Sequence, residues 1–206
     1  MAKVTRKENG LLPRGRPRTF DLDEALDAAL KVFWARGYEG ASLSELTQAM
    51  GINKPSLYGA FGDKAELFRK VVDRYVRGQA AIWDALLSEV TARAVVEKIL
   101  TAAADALTSG EHPHGCLLVQ AALSCTKETD CIKTELAAKR ADSDLLLRTR
   151  LMRAQGEGEF AREVDVPALS RFYSTVLRGM SVEASGGATR RDLQSVIDLA
   201  MKAWPS

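Results

Sequence analysis

Three polar residues, Lys54, Ser56 and Tyr58, stand within a short stretch that has the residue pattern of a helix. Side chains of these types can hydrogen-bond to base edges and phosphates when a short helix presents them in a major groove. The intervening Leu57, with Phe61 one turn later, can bury the other side of that helix. The spacing therefore predicts a surface that contacts nucleic acid.

Two short helices around a tight turn are predicted to position these side chains. Ser42 can cap the first helix, because Glu45 three residues later completes a capping box, and Gly51 suits the left-handed residue that ends it. Asn53 can cap the second helix, and Pro55 lies in its first turn, where a missing N–H costs nothing. This pattern is typical of a helix-turn-helix whose second helix fits a major groove.

Residues 20–42 and 51–68 agree with one protein family in the order and length of their helices and turns. The first segment, FDLDEALDAALKVFWARGYEGAS, resembles the first helix and turn of the TetR family of transcriptional regulators. The second, GINKPSLYGAFGDKAELF, resembles that family's recognition helix and the start of its fourth helix. The resemblance covers about residues 18–75. It departs from the family at Gly59 and Ala60, where a Tyr or Asn followed by a His is usual.

The resemblance implies an all-α fold of about nine helices. An N-terminal three-helix helix-turn-helix domain is followed by a larger helical ligand-binding and dimerisation domain. It also implies a dimeric regulator, most often a repressor, that binds an inverted-repeat double-stranded DNA operator and is released by a small-molecule effector. The predicted DNA-contacting residues are Arg14, Arg16, Arg18, Ser42, Asn53, Lys54, Pro55, Ser56, Tyr58 and Lys64.

Composition independently favours an all-α chain. Alternating runs of β-branched and aromatic residues are scarce, whereas Ala and Leu fill nearly every segment. No apolar run approaches the roughly 20 residues of a membrane span, and the charged start lacks the apolar region of a signal peptide. We therefore expect a cytoplasmic protein without a membrane partner, and its 3 cysteines fit a reducing compartment.

Positive charge is concentrated at the start of the chain. The net charge of +2 divides into +5 for residues 1–20, −1 for residues 21–78 and −2 for residues 79–206. Residues 1–18 are predicted to form a basic flexible arm beside the helix-turn-helix, where a phosphate backbone would attract it.

The arm contains Arg14-Gly15-Arg16-Pro17-Arg18, which resembles the core of an AT-hook. Such arginines can enter a narrow, strongly negative A·T minor groove. A general phosphate-binding arm is an equally open interpretation. Both interpretations place the arm on DNA.

The predicted domains are a helix-turn-helix domain at 19–78, which includes a linking helix at 63–78, and a helical domain at 79–206. Further helices are predicted at about 79–90, 92–108, 116–126, 128–155, 167–185 and 189–204, with breaks at Gly- and Pro-containing turns. The last two helices are apolar over more than half of their circumference, which predicts a second partner for them. In the TetR family the last two helices of each subunit form an intersubunit bundle, so we expect a homodimer through about 167–204.

The size of the second domain leaves room for an apolar cavity with a few polar groups. The candidate lining residues for an unidentified effector are Trp83, Leu86, Cys116, Val119, Gln120, Met152 and Phe172. The resemblance implies that such a ligand favours a conformation in which the two recognition helices are wrongly spaced. The linking helix 63–78 is expected to transmit this conformational change from the second domain to the helix-turn-helix domain.

The side chains do not predict catalysis or a cofactor. The 2 histidines, His112 and His114, lie in a Pro-Gly loop without a carboxylate to orient them, so the sequence predicts no enzyme. Together with Cys116 they stand at i, i+2 and i+4, a soft-ligand set that leaves open a metal- or thiol-responsive regulator on the same scaffold. Pro113 and the absence of C-x-x-C spacing argue for a structural loop. A sequence-indifferent architectural DNA-binding protein is the other alternative.

Overall fold

The computed structural model describes residues 20–205, which form nine α-helices, a single turn of 3₁₀-helix and no strand. This confirms the all-α prediction. The helices are α1 (Leu22–Gly40), α2 (Leu43–Ala49), α3 (Lys54–Phe61), α4 (Lys64–Leu87), α5 (Ala92–Thr108), α6 (Leu117–Leu123), α7 (Asp130–Gly156), α8 (Val166–Ser185) and α9 (Arg190–Lys202). The predicted arginines Arg14, Arg16 and Arg18 lie outside the described residues. Within the described part of the chain, no helix has the length and apolar character needed to cross a membrane.

Helix α1 is capped by Asp21 and is interrupted near its end. The Asp21 carboxylate accepts hydrogen bonds from the backbone N–H groups of Asp23 and Glu24 at 2.7 and 3.1 Å. Gly37 has φ 69° and ψ 178°, so the regular helix breaks there, and only glycine adopts this conformation readily. The break lets the end of α1 lie directly against α6.

Helix α4 is longer than the sequence predicted. The expected end at Gly78 and the separate helix at 79–90 are both wrong, since one helix continues from Lys64 to Leu87. A glycine in an exposed helix interior costs only about 1 kcal/mol relative to alanine. Beyond it, Trp83 and Leu86 are half-buried against the second core, and this packing favours continuation of the helix over a break.

The buried side chains form two clusters, and α6 joins the first of them. That cluster contains the buried faces of α1 to α4 together with Leu117, Leu118 and Ala121 of α6 and Ile132 and Leu136 of α7. The second cluster is built from α5, the later part of α7, α8 and α9. Cys116, at the start of α6, packs against both clusters. The core of the helix-turn-helix therefore includes segments well beyond the predicted limit at residue 78.

Candidate nucleic-acid interface and regulatory site

Local capping fixes the two helices of the helix-turn-helix as predicted. The Ser42 hydroxyl accepts from the Glu45 N–H at 3.1 Å, and the Glu45 carboxylate accepts from the Ser42 N–H at 3.1 Å. Gly51 has φ 65° between the helices. The Asn53 side chain then accepts from the Ser56 N–H at 2.8 Å and caps α3, with Pro55 in its first turn.

Helix α3 is held by one face and presents the other to solvent. Leu57 and Phe61 are buried in the first core, and Phe61 also lies 6.3 Å from the ring of Phe20. On the outer side Lys54 is exposed, and half of the surface of Tyr58 is accessible. Within residues 20–205 neither side chain forms a hydrogen bond or ion pair, so both are available to a ligand.

The remaining predicted contacts of this region differ in accessibility. Ser42, Asn53 and Pro55 are exposed, and Ser56 is half-buried. Because the Ser42 and Asn53 side chains cap helices, they are engaged with their own backbone. The predicted contacts of Ser42 and Asn53 with DNA stay predictions.

The Lys64 side chain has contacts within the protein that the sequence did not predict. Its ammonium donates to the Glu39 carbonyl at 3.4 Å and lies 4.7 Å from the centre of the Tyr38 ring. Burial lowers the pKa of Lys64. Its predicted contact with a phosphate stays a prediction.

A junction of hydrogen bonds connects the DNA-binding helices to α6 and α8. The Trp34 indole N–H of α1 donates to the Gly115 carbonyl at 3.0 Å, and the Tyr75 hydroxyl of α4 donates to the Cys116 sulfur at 3.3 Å. The Cys116 N–H in turn donates to the Ser181 hydroxyl of α8 at 2.8 Å. Burial, with the nearby Cys116 thiol, raises the pKa of Tyr75 well above its ordinary value. The start of α6 is thereby fixed to both halves of the molecule.

The side chains predicted to line one effector cavity do not come together. Met152 and Phe172 are 54% and 41% exposed, so they do not line a closed cavity within the single chain. Their contact with an effector stays a prediction. Both residues lie on outward faces of long helices. Their apolar residue type alone does not tell whether such a side chain lines a cavity or lies on the surface. Gln120 instead donates to the Ser181 carbonyl at 3.3 Å. Trp83, Leu86 and Cys116 pack against the second core.

An open groove between α6, α7 and α8 includes only Val119 of the predicted set. Its volume is about 350 Å³, within the range of small-molecule sites. The lining residues are Val119, Ala122, Leu123, Arg140, Thr175, Arg178, Gly179 and Val182. Ala122 of this groove also packs against the core of the helix-turn-helix.

The His112, His114 and Cys116 spacing does not assemble a metal site. Over the described residues, no three His, Cys, Asp or Glu side chains are grouped as metal ligands would be. His112 instead stacks on Trp34, with ring centres 5.5 Å apart. A metal or thiol response of the regulator stays a prediction.

Comparison with known proteins agrees with this geometry. The profile of bacterial regulatory proteins of the tetR family matches residues 25–71, which span α1 to α3 and the start of α4. The HTH-type transcriptional repressor ComR of Escherichia coli K12 is 34% identical over 93% of this chain and 92% of its own length. The chain belongs to the TetR family. It is a transcriptional regulator with a DNA-binding helix-turn-helix, not an enzyme.

Further TetR family relatives match over nearly the whole chain. The repressor BdcR of Escherichia coli K12 is 30% identical over 97% of this chain and 96% of its own length. A cysteine variant of the regulator CifR, solved with a 26-base-pair double-stranded operator DNA, superimposes with a TM-score of 0.89. It is 43% identical and covers 92% of this chain and 100% of its own.

The junction around α6 is the part of this TetR family chain that the sequence did not predict. The predicted domain limits place α6 in the second domain, apart from α1 and most of α4. The hydrogen bonds of the junction join residues 81, 41 and 65 positions apart. No local pattern marks contacts at such separations, so the sequence contained no signal for them.

Proposed function

We propose that the chain is a homodimeric repressor that binds an inverted-repeat operator through α3 and leaves it when a small-molecule effector binds. The outward side of α3 carries this proposal. Lys54 and Tyr58 are exposed on a short, capped helix and lack partners within residues 20–205. A lysine and a tyrosine in this position can contact base edges and nearby phosphates.

Exposed apolar side chains on α8 and α9 support the homodimer. Phe172 on α8 is 41% exposed, and Val196 and Leu199 on α9 are 40% and 66% exposed. Such a surface on two adjacent helices is typical of a protein–protein interface. A two-fold pairing would place two α3 helices about 34 Å apart, so that each could enter a major groove on one side of the duplex.

Helix α6 offers a route from an effector to α3. One side of α6 packs in the helix-turn-helix core, and its start is bonded to α8 through Cys116 and Ser181. A ligand that moves α6 would therefore shift α1 and α4 relative to the dimer helices. The spacing of the two recognition helices would change, and operator affinity would fall.

The DNA-binding part is tested by binding to the promoter region of the chain's own gene in the presence of excess sheared genomic DNA. Lys54→Ala and Tyr58→Ala should each weaken specific binding by about 10-fold to 100-fold. Lys133→Ala, at an exposed lysine on α7 and outside the proposed dimer helices, is the matched control and should have no effect. Equal binding by all variants would refute the role of α3. Failure of the natural chain to prefer any site over genomic DNA would instead indicate an architectural protein.

The dimer interface is tested by replacing each of two valines with glutamate in separate variants. Val196→Glu places a charge in the proposed interface and should weaken dimerisation by at least about 100-fold in sedimentation velocity. Val90→Glu is the control, because Val90 is 90% exposed in the turn between α4 and α5. A dimer unaffected by Val196→Glu would exclude this part of α9 from the interface.

A further inference from the structure

The groove between α6, α7 and α8 combines an apolar wall with two guanidinium groups. Val119, Ala122 and Leu123 of α6 form one wall, and Leu123 is 67% exposed. Arg140 of α7 and Arg178 of α8 are the charged lining residues, and no carboxylate lines the groove in the described part of the chain. The lining therefore favours an occupant that is apolar over most of its length and negatively charged at one end.

The two arginines are not equally neutralised. Arg178 forms an ion pair with Asp144. Arg140 instead donates a hydrogen bond to the Leu118 carbonyl. Among residues 20–205, no carboxylate forms an ion pair with Arg140. Burial and the neighbouring Arg178 guanidinium lower the pKa of Arg140. The two guanidinium groups thus share the carboxylate of Asp144, and one positive charge is left over beside an open apolar groove, where a carboxylate would be bound strongly.

We infer that this groove is the effector site and that it takes a small organic carboxylate with an apolar body, anchored by Arg140. The inference rests on the proposed function, because it assigns the ligand class of the repressor. A planar guanidinium suits bidentate binding of a carboxylate, and the α6 side chains accommodate the apolar part.

Arg140 also connects the site to the helix-turn-helix. Its guanidinium donates to the Leu118 carbonyl in the first turn of α6, and the Leu118 side chain is buried in the helix-turn-helix core. A carboxylate on the remaining N–H groups of the same guanidinium can reposition Arg140 and, with it, this contact to α6. The ligand therefore acts on the backbone of the helix that packs against α1.

Binding is tested by calorimetry with octanoate as the probe and 1-octanol as its neutral counterpart of equal chain length, on the full chain without DNA. Octanoate should bind saturably and at least about tenfold more tightly than 1-octanol, because the charged hydrogen bond to Arg140 is absent in the alcohol. Absence of octanoate binding, or equal binding of both compounds, overturns the inference. DNA binding is measured separately, so the proposed function can stand when this inference fails.

Four variants locate the site. Arg140→Gln should weaken octanoate binding at least about tenfold, whereas Arg148→Gln, at an exposed arginine on the same helix, should leave it unchanged. Arg140→Lys keeps the charge but loses the bidentate geometry, so it should recover part of the affinity that Arg140→Gln loses, which separates removal of the charge from damage to the fold. Gly179→Leu fills the groove, because a Cβ at Gly179 meets no atom within 4 Å. It should abolish binding of both compounds.

Sedimentation velocity shows whether the groove holds a ligand or a second copy of the chain. With Gly179→Leu the chain should remain a dimer, because the groove belongs to a ligand. Conversion to a monomer would mean that a second copy fills the groove, and this result would overturn the inference. Unchanged octanoate binding in Arg140→Gln or Gly179→Leu would do the same.

Discussion

Substitution of alanine at three glycines should change stability in three different ways, and Gly37 should be the most sensitive. Gly37 combines φ 69° and ψ 178° with close contact to α6. A Cβ there would lie 2.2 Å from the Ser124 hydroxyl oxygen and 3.0 Å from the Ser124 Cβ. Gly51 has φ 65° but no atom within 4 Å, and Gly78 has neither strain nor contact.

The magnitudes follow from these differences. The backbone of Gly37 lies in a region essentially restricted to glycine, which costs a side chain about 1–3 kcal/mol. Movement of Ser124 would also break its 3.0 Å hydrogen bond to the Ala121 carbonyl, at a cost of about 1 kcal/mol. Gly37→Ala should therefore lower the free energy of unfolding by about 2–4 kcal/mol. Gly51→Ala should lower it by about 1–2 kcal/mol through left-handed strain alone.

Gly78→Ala should have the opposite sign. Gly78 is an exposed interior residue of α4, so alanine should stabilise the chain by about 0.5–1 kcal/mol. The measurement is urea unfolding followed by far-ultraviolet circular dichroism. All variants are compared at one protein concentration, because the stability of a dimer depends on concentration.

A companion substitution isolates the contact between α1 and α6. In a Ser124→Gly background the steric part of the Gly37→Ala effect should disappear and only the backbone strain should remain. If Gly37→Ala costs no more than Gly51→Ala, or if Ser124→Gly leaves its cost unchanged, the close packing of α1 on α6 is refuted. The proposed route from effector to recognition helix would then lack its first step.

Three further outcomes are expected. Asn53→Ala removes the cap on the Ser56 N–H and should lower the free energy of unfolding by about 1 kcal/mol and weaken operator binding; unchanged values for both would contradict the capping role. Deletion of residues 1–18 should weaken all DNA binding and reduce its salt dependence by about 0.9 in log–log slope for each phosphate that the arm neutralises; an unchanged slope would show that the arm neutralises none. A hydrogen bond from Arg74 holds the pKa of the Asp27 carboxyl below its ordinary value of 3.8. The Arg74–Asp27 interaction therefore stabilises the fold fully above pH 3.8, and this stabilisation disappears as the pH falls through the lowered pKa. The difference in unfolding free energy between the natural chain and Asp27→Asn should therefore vanish in acid, and a difference independent of pH would contradict this.

Local features of this fold were predictable from the sequence. The capping box of Ser42 and Glu45 and the cap of Asn53 depend on contacts three residues apart, and the structure confirms both. The outward position of Lys54 and Tyr58 follows from the burial of Leu57 on the same short helix. These residues carry their structural signal within one or two turns.

Features set by distant packing were not predictable. Gly78 has the residue type of a helix end, yet α4 continues because later residues pack on the second core. Met152 and Phe172 have the residue type of a cavity lining but lie on outward faces. The side of a long helix that faces the interior is decided by neighbours far along the chain, and a single sequence does not contain that information.

The central claim is that two copies of α3 bind the two halves of an inverted repeat. Its most direct test is to select fragments of sheared genomic DNA that bind the full chain. The selected fragments should share a two-fold symmetric sequence with half-site centres one helical turn apart. Their enrichment should disappear with Lys54→Ala and Tyr58→Ala. Recovery of fragments without a common sequence, or equal enrichment by the alanine variants, would contradict the account.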